Sequence, residues 1–482
     1  MSFKPVILWT DVVLWLMLLG LGLYVLKVRR DELLRASWLK VFAVPAAMAS
    51  AVVLAGMLLL TLADSLHFRR ALPAVKQGAL AFDTRTESVL DMALAKLVAT
   101  REKSYSRPLA THGFVKETVP RKAGEKAVLD AAGAPVPPPR AFPRLAHGGA
   151  GLADPVADWG RDVAERLMCG SLAAGGLALL TWLALRRRFD GAQGDAWHAA
   201  WVTTTGVLLL AGWAIGLSWG QGYHVLGTDR TGNDVLYMAL KSVRTAFVIG
   251  ALATVATLPF ALVFGIAAGY FKGWVDDVIQ YVYTVLSSVP NILLIAACVL
   301  MVQVFLDQHP ELFETGLERA DLKIFLLCVI LGVTGWAGLC RLLRAETLKL
   351  RELEYVQAAT AFGAGPWRIM RRHILPNVMH LVLITTVLEF SSLILYEAVL
   401  SYVGVGVDPS MNSFGGLINQ ARVEMSRDPL VWWSFAAAFV FMVAIVLAAN
   451  LFADAVRDAF DPRARTVRPV RPSKLASAST AR

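Results

Sequence analysis

Apolar residues in this chain come in long runs, separated by short polar or basic loops and by one long polar stretch. A bilayer core takes about 20 apolar residues as helix. On that measure spans are predicted at roughly 6–26, 41–63, 167–185, 199–218, 246–270, 278–306, 324–343, 380–403 and 432–453. The first is long for the apolar part of a signal peptide, and no small-residue cleavage site follows it, so it counts as a span. Lys and Arg collect at 27–40, at 186–190, at 341–352 and from Arg457 onward. All four regions fall on the cytoplasmic side if the N-terminus is outside and the C-terminus inside. The acidic loop 306–321 then falls outside.

The polar stretch 64–166 is also placed outside by this topology. Within it, 84–99 is predicted as one helix: Thr84 and Glu87 have capping-box spacing, and Leu90, Leu94 and Leu97 share a face. The run GAPVPPPRAFPRLAHGGAG (133–151) reads as irregular or extended chain. The insert reads either as a lid or spacer packed on the membrane part, or as a docking surface for a substrate-carrying protein.

Composition agrees with a membrane protein. The chain has 482 residues, 56% hydrophobic and 17% charged, with a mean hydropathy of +0.55. The net charge of +10 sits at the ends of apolar runs, which fits positive-inside topology and a lipid bilayer, not nucleic acid. Cys169, Cys298, Cys328 and Cys340 lie in or beside apolar runs with no C-x-x-C pair, so neither a metal site nor a disulfide scaffold is indicated. The chain contains no G-x-x-x-x-G-K-[ST] loop, so it does not bind ATP by that route; nucleophile-elbow and H-E-x-x-H motifs are missing as well. An enzyme is not expected.

One polar stretch between two spans stands out: EYVQAATAFGAGPWRIMRRHILPN, 354–377. Glu354, Gln357, Ala358, Ala359 and Phe362 have helical spacing, and the two alanines admit close approach of another backbone. Gly363 suits a helix C-terminus and Pro366 the first turn of the next helix. In that second helix Trp367, Met370 and Ile374 recur on an apolar face, while Arg368, Arg371 and Arg372 fall elsewhere. Pro376 is expected to stop or kink the chain before the following span. The result is a cytosolic helix–turn–helix knob. Periodicity alone fits equally an interfacial element whose arginines touch anionic lipid.

The order of residues resembles the EAA loop of ABC importer permeases, E-A-A-x3-G-x9-I-x-L-P. Ala358, Ala359, Gly363, Leu375 and Pro376 match; Gln357 replaces the Glu and His373 the first Ile. The His-Ile-Leu-Pro-Asn form is similar to the peptide/nickel branch. Four further stretches resemble that branch in order: HVLGTDRTGNDVLYMALKSVRTA (224–246), GYFKGWVDD (269–277), EAVLSYVGVGVDPSMNSFGGLI (397–418) and NLFADAVRDAFDPRAR (450–465). Residues 1–200 have no counterpart in the minimal six-span permease.

The resemblance implies an all-α polytopic fold, a six-span permease core preceded by about three extra spans. The expected division is an N-terminal transmembrane hairpin (1–63), the extracytoplasmic insert (64–166), an extra span with a basic loop (167–198), the core (199–465) with its coupling loop 354–376, and a cytoplasmic tail (466–482). It also implies a subunit of a binding-protein-dependent importer of peptides or similar small solutes in a bacterial inner membrane. The implied partners are a second permease subunit completing a heterodimeric pore, two cytoplasmic ATPases that carry the ATP and Mg, and an extracytoplasmic binding protein. This chain itself needs no cofactor. The knob, through Glu354, Gln357, Ala358, Ala359, Phe362, Gly363, Trp367, Arg371 and Pro376, is where the ATPase docks.

Inside the spans, Glu389 and Glu397 are costly in lipid, about 2.5–3.5 kcal/mol each on insertion scales, so they are expected to face protein or a wet path. Pro290 is expected to kink the helix 278–306. These three are candidate pathway residues: for Glu389 a satisfied interhelical bond is the equal alternative, Glu397 has a counterpart in the resembled family and also reads as structural, and for Pro290 ordinary packing competes with a gating hinge. The loop LGTDRTGND is read as a capped turn, with Asp229 and Asp234 accepting backbone amides, in preference to a metal loop. Two other classes compete: an ion-coupled secondary transporter with Glu389 as proton carrier, and a membrane scaffold without transport. No clear internal repeat supports the first.

Overall fold

The computed structural model describes residues 3–72, 82–118, 140–189, 193–313 and 315–460. The first part of the proline-rich run and the tail assigned to 466–482 lie outside the described residues.

Strand β1 (Phe3–Val6) leads into helices α1 (Trp9–Arg30), α2 (Glu32–Val41) and α3 (Pro45–Asp64). The Asp31 carboxylate accepts the amides of Leu33 and Leu34 and so caps α2. Pro45 opens α3, where a missing N–H leaves nothing unsatisfied.

The insert begins as a small antiparallel sheet in which β2 (His67–Ala71) lies between β1 and β3 (Phe82–Ser88). Two short helices follow, α4 (Val89–Ala93) and α5 (Ala95–Ala99). This corrects the single helix expected over 84–99. Thr84 and Thr86 are β-branched, and pairing with β2 satisfies the backbone of 82–88 as strand. The capping box moves to Ser88, whose hydroxyl accepts the Asp91 amide at 3.0 Å while Asp91 accepts the Ser88 amide at 3.0 Å. Strands β4 (Glu117–Thr118) and β5 (Arg140–Ala141) form a second, two-residue ladder.

Helices α6 (Trp159–Phe189) and α7 (Gly194–Ser218) form a hairpin of very close approach. A Cβ on Gly212 would lie 2.6 Å from the Gly170 carbonyl, so glycine is what lets the two backbones meet. Helix α7 also lies on α3, and α3 packs directly on α8 (Val235–Phe271) and α17 (Trp433–Phe460).

Helix α8 is the centre of the fold, with α3, α11 (Gly316–Gly335), α12 (Ala337–Arg351), α15 (Leu375–Val403) and α17 packed around it. Between them run α9 (Gly273–Ser288), α10 (Asn291–Gln308), α13 (Glu354–Ala361), α14 (Pro366–Ile369) and α16 (Phe414–Glu424). Among the described residues eight helices are long and apolar enough to cross a membrane; a ninth crossing results if α11 and α12, bent by 41°, act as one span. The stretch 278–306 is not one kinked helix. It is broken between α9 and α10, and Pro290 caps α10 instead of sitting inside a helix. Proline lacks the N–H and its ring crowds the preceding turn, which favours the break.

The N-terminal end of α8 carries a buried cation, Arg244, and a half-buried one, Lys241. The Arg244 guanidinium, 3% exposed, donates to Asp11 at 2.6 Å and to Thr10 at 3.0 Å, with Asp321 of α11 at 3.8 Å. The Asp321 carboxylate accepts the Thr10 amide at 3.1 Å, and His67 of β2 meets the other Asp11 oxygen at 2.8 Å. One turn away, Lys241 bridges Asp64 of α3 at 3.1 Å and Asp91 of α4 at 2.9 Å. The N-terminal helices and the insert are therefore bonded to the core through charges that none of them buries alone. Removing one partner of a buried pair costs about 3–5 kcal/mol, because the other charge stays buried. Asp11→Ala is expected to lower the melting temperature of the detergent-solubilised protein sharply. An unchanged melting temperature would contradict this role.

Candidate functional site

The knob at 354–376 is built as a rigid turn. Helix α13 ends at Phe362, and Gly363 takes φ +77°. The Gly363 amide donates to the Thr360 carbonyl at 3.0 Å and the Ala364 amide to Ala359 at 3.1 Å, the paired bonds that close a helix with a left-handed glycine. Pro366 then starts α14. Asn377 ties the two arms together, donating to the Tyr355 hydroxyl at 3.0 Å and to the His373 carbonyl at 2.6 Å.

The knob is anchored through one face only. Val356, Ile369 and Ile374 are buried in a cluster with Leu339, Cys340 and Leu343 of α12 and with α8. Ala359 is half-buried against the same cluster. Glu354, Gln357, Ala358, Gly363, Arg371 and Pro376 are exposed. Phe362 is 91% and Trp367 71% exposed. Trp367 is thus not on the packed face with Met370 and Ile374; that face belongs to Ile369 and Ile374, and Trp367 points outward beside Phe362's turn. Pro376 does not stop the chain either. Residues Met370–Ile374 form a π-helical turn, and one continuous helix runs from Pro366 to Val403. The wider turn removes the ordinary i to i−4 register just before the proline, which accommodates the missing donor.

Beside the knob, Arg344 of α12 holds Asp276 of α9 with two bonds, at 2.5 and 2.6 Å. Hydrogen bonding from Arg344 keeps the Asp276 carboxyl below its ordinary range. Asp276 lies in the GYFKGWVDD stretch; its partner, 68 residues away, was not visible in the sequence.

Of the candidate pathway residues, Glu389 and Glu397 lie on α15 and Pro290 at the α9–α10 break. Glu397 is fully buried and accepts the Ser401 hydroxyl at 2.7 Å. Glu389 is half-buried and has no hydrogen-bond or ion-pair partner among the described residues.

At the opposite end the loop 224–234 forms the expected capped turn. Asp229 accepts the amides of Thr231 and Asn233, and Asp234 those of Leu236 and Tyr237 at the start of α8. Gly232 has φ +80° and is pressed against the Glu102 backbone, leaving no room for a side chain. His224 is buried between two carboxylates, Asp234 at 2.8 Å and Glu102 of the insert at 3.6 Å. Glu102 also accepts the amides of Ala146, His147 and Gly148. Sequence reasoning missed this junction because Glu102 and His224 are far apart in the chain. Among the described residues no group of three or more His, Cys, Asp or Glu is placed to hold a metal.

Residues 261–466 match the family described as the binding-protein-dependent transport system inner membrane component. The chain is 31% identical over 245 residues to the oligopeptide transport system permease protein OppC of Haemophilus influenzae, covering 51% of this chain and 72% of that one. It is 29% identical over 241 residues to the dipeptide transport system permease protein DppC of Lactococcus lactis subsp. cremoris, covering 50% and 64%. A solved inward-facing structure of the MetNI methionine ABC transporter aligns over 47% of this chain and 96% of its own, at 19% identity and a TM-score of 0.35. The chain belongs to the inner membrane component family, the permeases of ABC importers. As a member it is a multi-span transport subunit and not an enzyme, and neither the secondary-transporter nor the scaffold reading gains support.

The junction around His224 has a defined pH response. Burial by itself would favour neutral imidazole, but hydrogen bonds and charge from Asp234 and Glu102 outweigh it and lift His224 from 6.5 to about 9. Burial alone would raise Glu102, yet bonds from His224 and the three amides bring it from 4.5 to about 2. The His224 contribution is full below 6.5 and is lost as pH rises through about 9; the Glu102 contribution is present above 4.5 and is lost as pH falls through about 2. Limited proteolysis within the insert is therefore expected to accelerate from pH 7 to pH 10, and His224→Gln should remove that step. Cleavage independent of pH in the wild type would contradict the assignment.

Proposed function

We propose that this chain is a pore-forming permease subunit of a bacterial inner-membrane importer of peptides, driven through the knob at 354–376. The proposal takes the core as 199–465, with α3 from the 1–63 hairpin closing its packing, and places the insert 64–166 on the outer side. A second permease subunit completes the pore, two cytoplasmic ATPases supply ATP hydrolysis, and an extracytoplasmic binding protein delivers the solute. The names of the similar permeases support the peptide class.

The observation that carries the coupling role is the knob's division into a buried anchor and an exposed tip. The tip offers Gln357, Ala358, Phe362, Trp367 and Arg371 to a partner. The anchor transmits what the partner does. From Trp367 to Glu389 is 22 residues of continuous helix, about 33 Å at ~1.5 Å per residue. A push on the tip therefore tilts α15 as a lever, and Arg344–Asp276 carries the motion to α9. The energy comes from ATPase contacts that differ between two states of the permease.

In proteoliposomes with the complete transporter, Phe362→Asp and Gly363→Val are each expected to uncouple ATP hydrolysis from uptake. Phe362 is solvent-exposed and nothing lies within 4 Å of a Cβ at Gly363, so neither change disturbs packing, although valine at φ +77° strains the turn. Normal coupled uptake by both variants would overturn the role.

Glu389 is proposed to line the solute path, since a half-buried, unpartnered carboxylate in a span is suited to the cationic amine of a peptide. Glu389→Gln is then expected to shift uptake from cationic toward anionic peptides at unchanged protein level. An unchanged profile would assign Glu389 to packing.

A further inference from the structure

We infer that Lys323 forms a site for the carboxylate end of the transported peptide, at the outer end of the core. A cavity of about 230 Å³ lies there between α8, α10, α11, the α15–α16 connection and α16. Its polar lining includes Gln303, Lys323, Asn412, Asn419 and Gln420. Lys323 is 8% exposed, two residues beyond Asp321 on α11. Its ammonium has three donors, yet its one hydrogen bond among the described residues is to the neutral Gln303 side chain at 3.3 Å. Asp408 also lines the cavity and attracts it, without forming an ion pair among the described residues.

A buried ammonium with one long bond to a neutral amide is unfavourable for folding. The neighbouring Arg244 and Lys241 are treated differently: each has carboxylates in direct contact. Among the described residues Lys323 is thus a buried cation with no carboxylate in ion-pair contact, Asp408 acting on it only at longer range, which leaves the contact position to a ligand. The surrounding amides donate and accept, which matches a peptide group, and the ammonium matches a free carboxylate. The space is that of roughly eight waters at ~30 Å³ each, enough for a chain end but not a whole oligopeptide. This inference rests on the peptide reading proposed above and names the group recognised.

The test compares uptake of trialanine and trialanine amide by vesicles carrying the complete transporter, with an unchanged binding protein. The wild type is expected to favour the free acid, and Lys323→Gln to reduce the acid-to-amide ratio of kcat/KM by about tenfold, as for loss of a charged hydrogen bond. Lys323→Arg should retain the preference. Lys323→Met should melt no lower than the wild type, because it removes an undercompensated charge. A preference unaltered in Lys323→Gln, or a sharp fall in melting temperature for Lys323→Met, would make the lysine structural and overturn the site. Coupled uptake of both peptides with no difference between them would also overturn the site while leaving the importer reading intact. No peptide uptake at all would overturn both.

Discussion

The arrangement depends on two cations that α8 cannot keep in an apolar bundle without help. Arg244 and Lys241 sit near its N-terminal end, and their carboxylates come from α1, α3, α4 and α11. That requirement brings the N-terminal helices alongside the permease core and sets the sheet of the insert above it, since His67 and Ser88 bond to the same acids. The α6–α7 hairpin then attaches through α3, with its own backbones brought together by glycine. The extra half of the molecule is thus joined to the core by specific charge pairs, and its loop contacts around His224 and Gly232 extend the same attachment.

At the other end the logic is reversed. The knob keeps little of its surface buried, and what it buries is aliphatic: Val356, Ile369 and Ile374. The exposed tip is open to a partner, and its anchor continues as helix into α15. One face is packed and the other exposed, and the proposed coupling uses both.

Much of this was legible in the sequence. Long apolar runs marked nearly every crossing, Gly363 and Pro366 marked the knob's turn, and Asp229 and Asp234 announced the capped loop. What failed did so for identifiable reasons. The capping spacing at Thr84 and Glu87 was genuine as a pattern, but pairing with β2 overrode it. Pro290 breaks a helix that apolarity alone made continuous, whereas Pro376 is absorbed by a π-helical turn that no local signal forecasts. Helical spacing put Trp367 on the packed face; the π-helical turn at Met370–Ile374 changes that spacing, so Ile369 is buried with Ile374 and Trp367 is exposed. The pairs Arg244–Asp11, Arg344–Asp276 and Glu102–His224 were invisible because each joins residues distant in the chain, and only the fold selects the partner.

The central claim is that the exposed tip of the knob is the surface on which an ATPase works. A cysteine placed at Phe362 and treated with a short bifunctional thiol crosslinker, in membranes holding the complete transporter, tests it most directly. The account predicts a crosslinked product containing this chain and an ATP-binding subunit, its yield altered when hydrolysis is trapped with ATP and vanadate. A tip that crosslinks to no ATP-binding subunit, in membranes where ATP-driven uptake is intact, would contradict it.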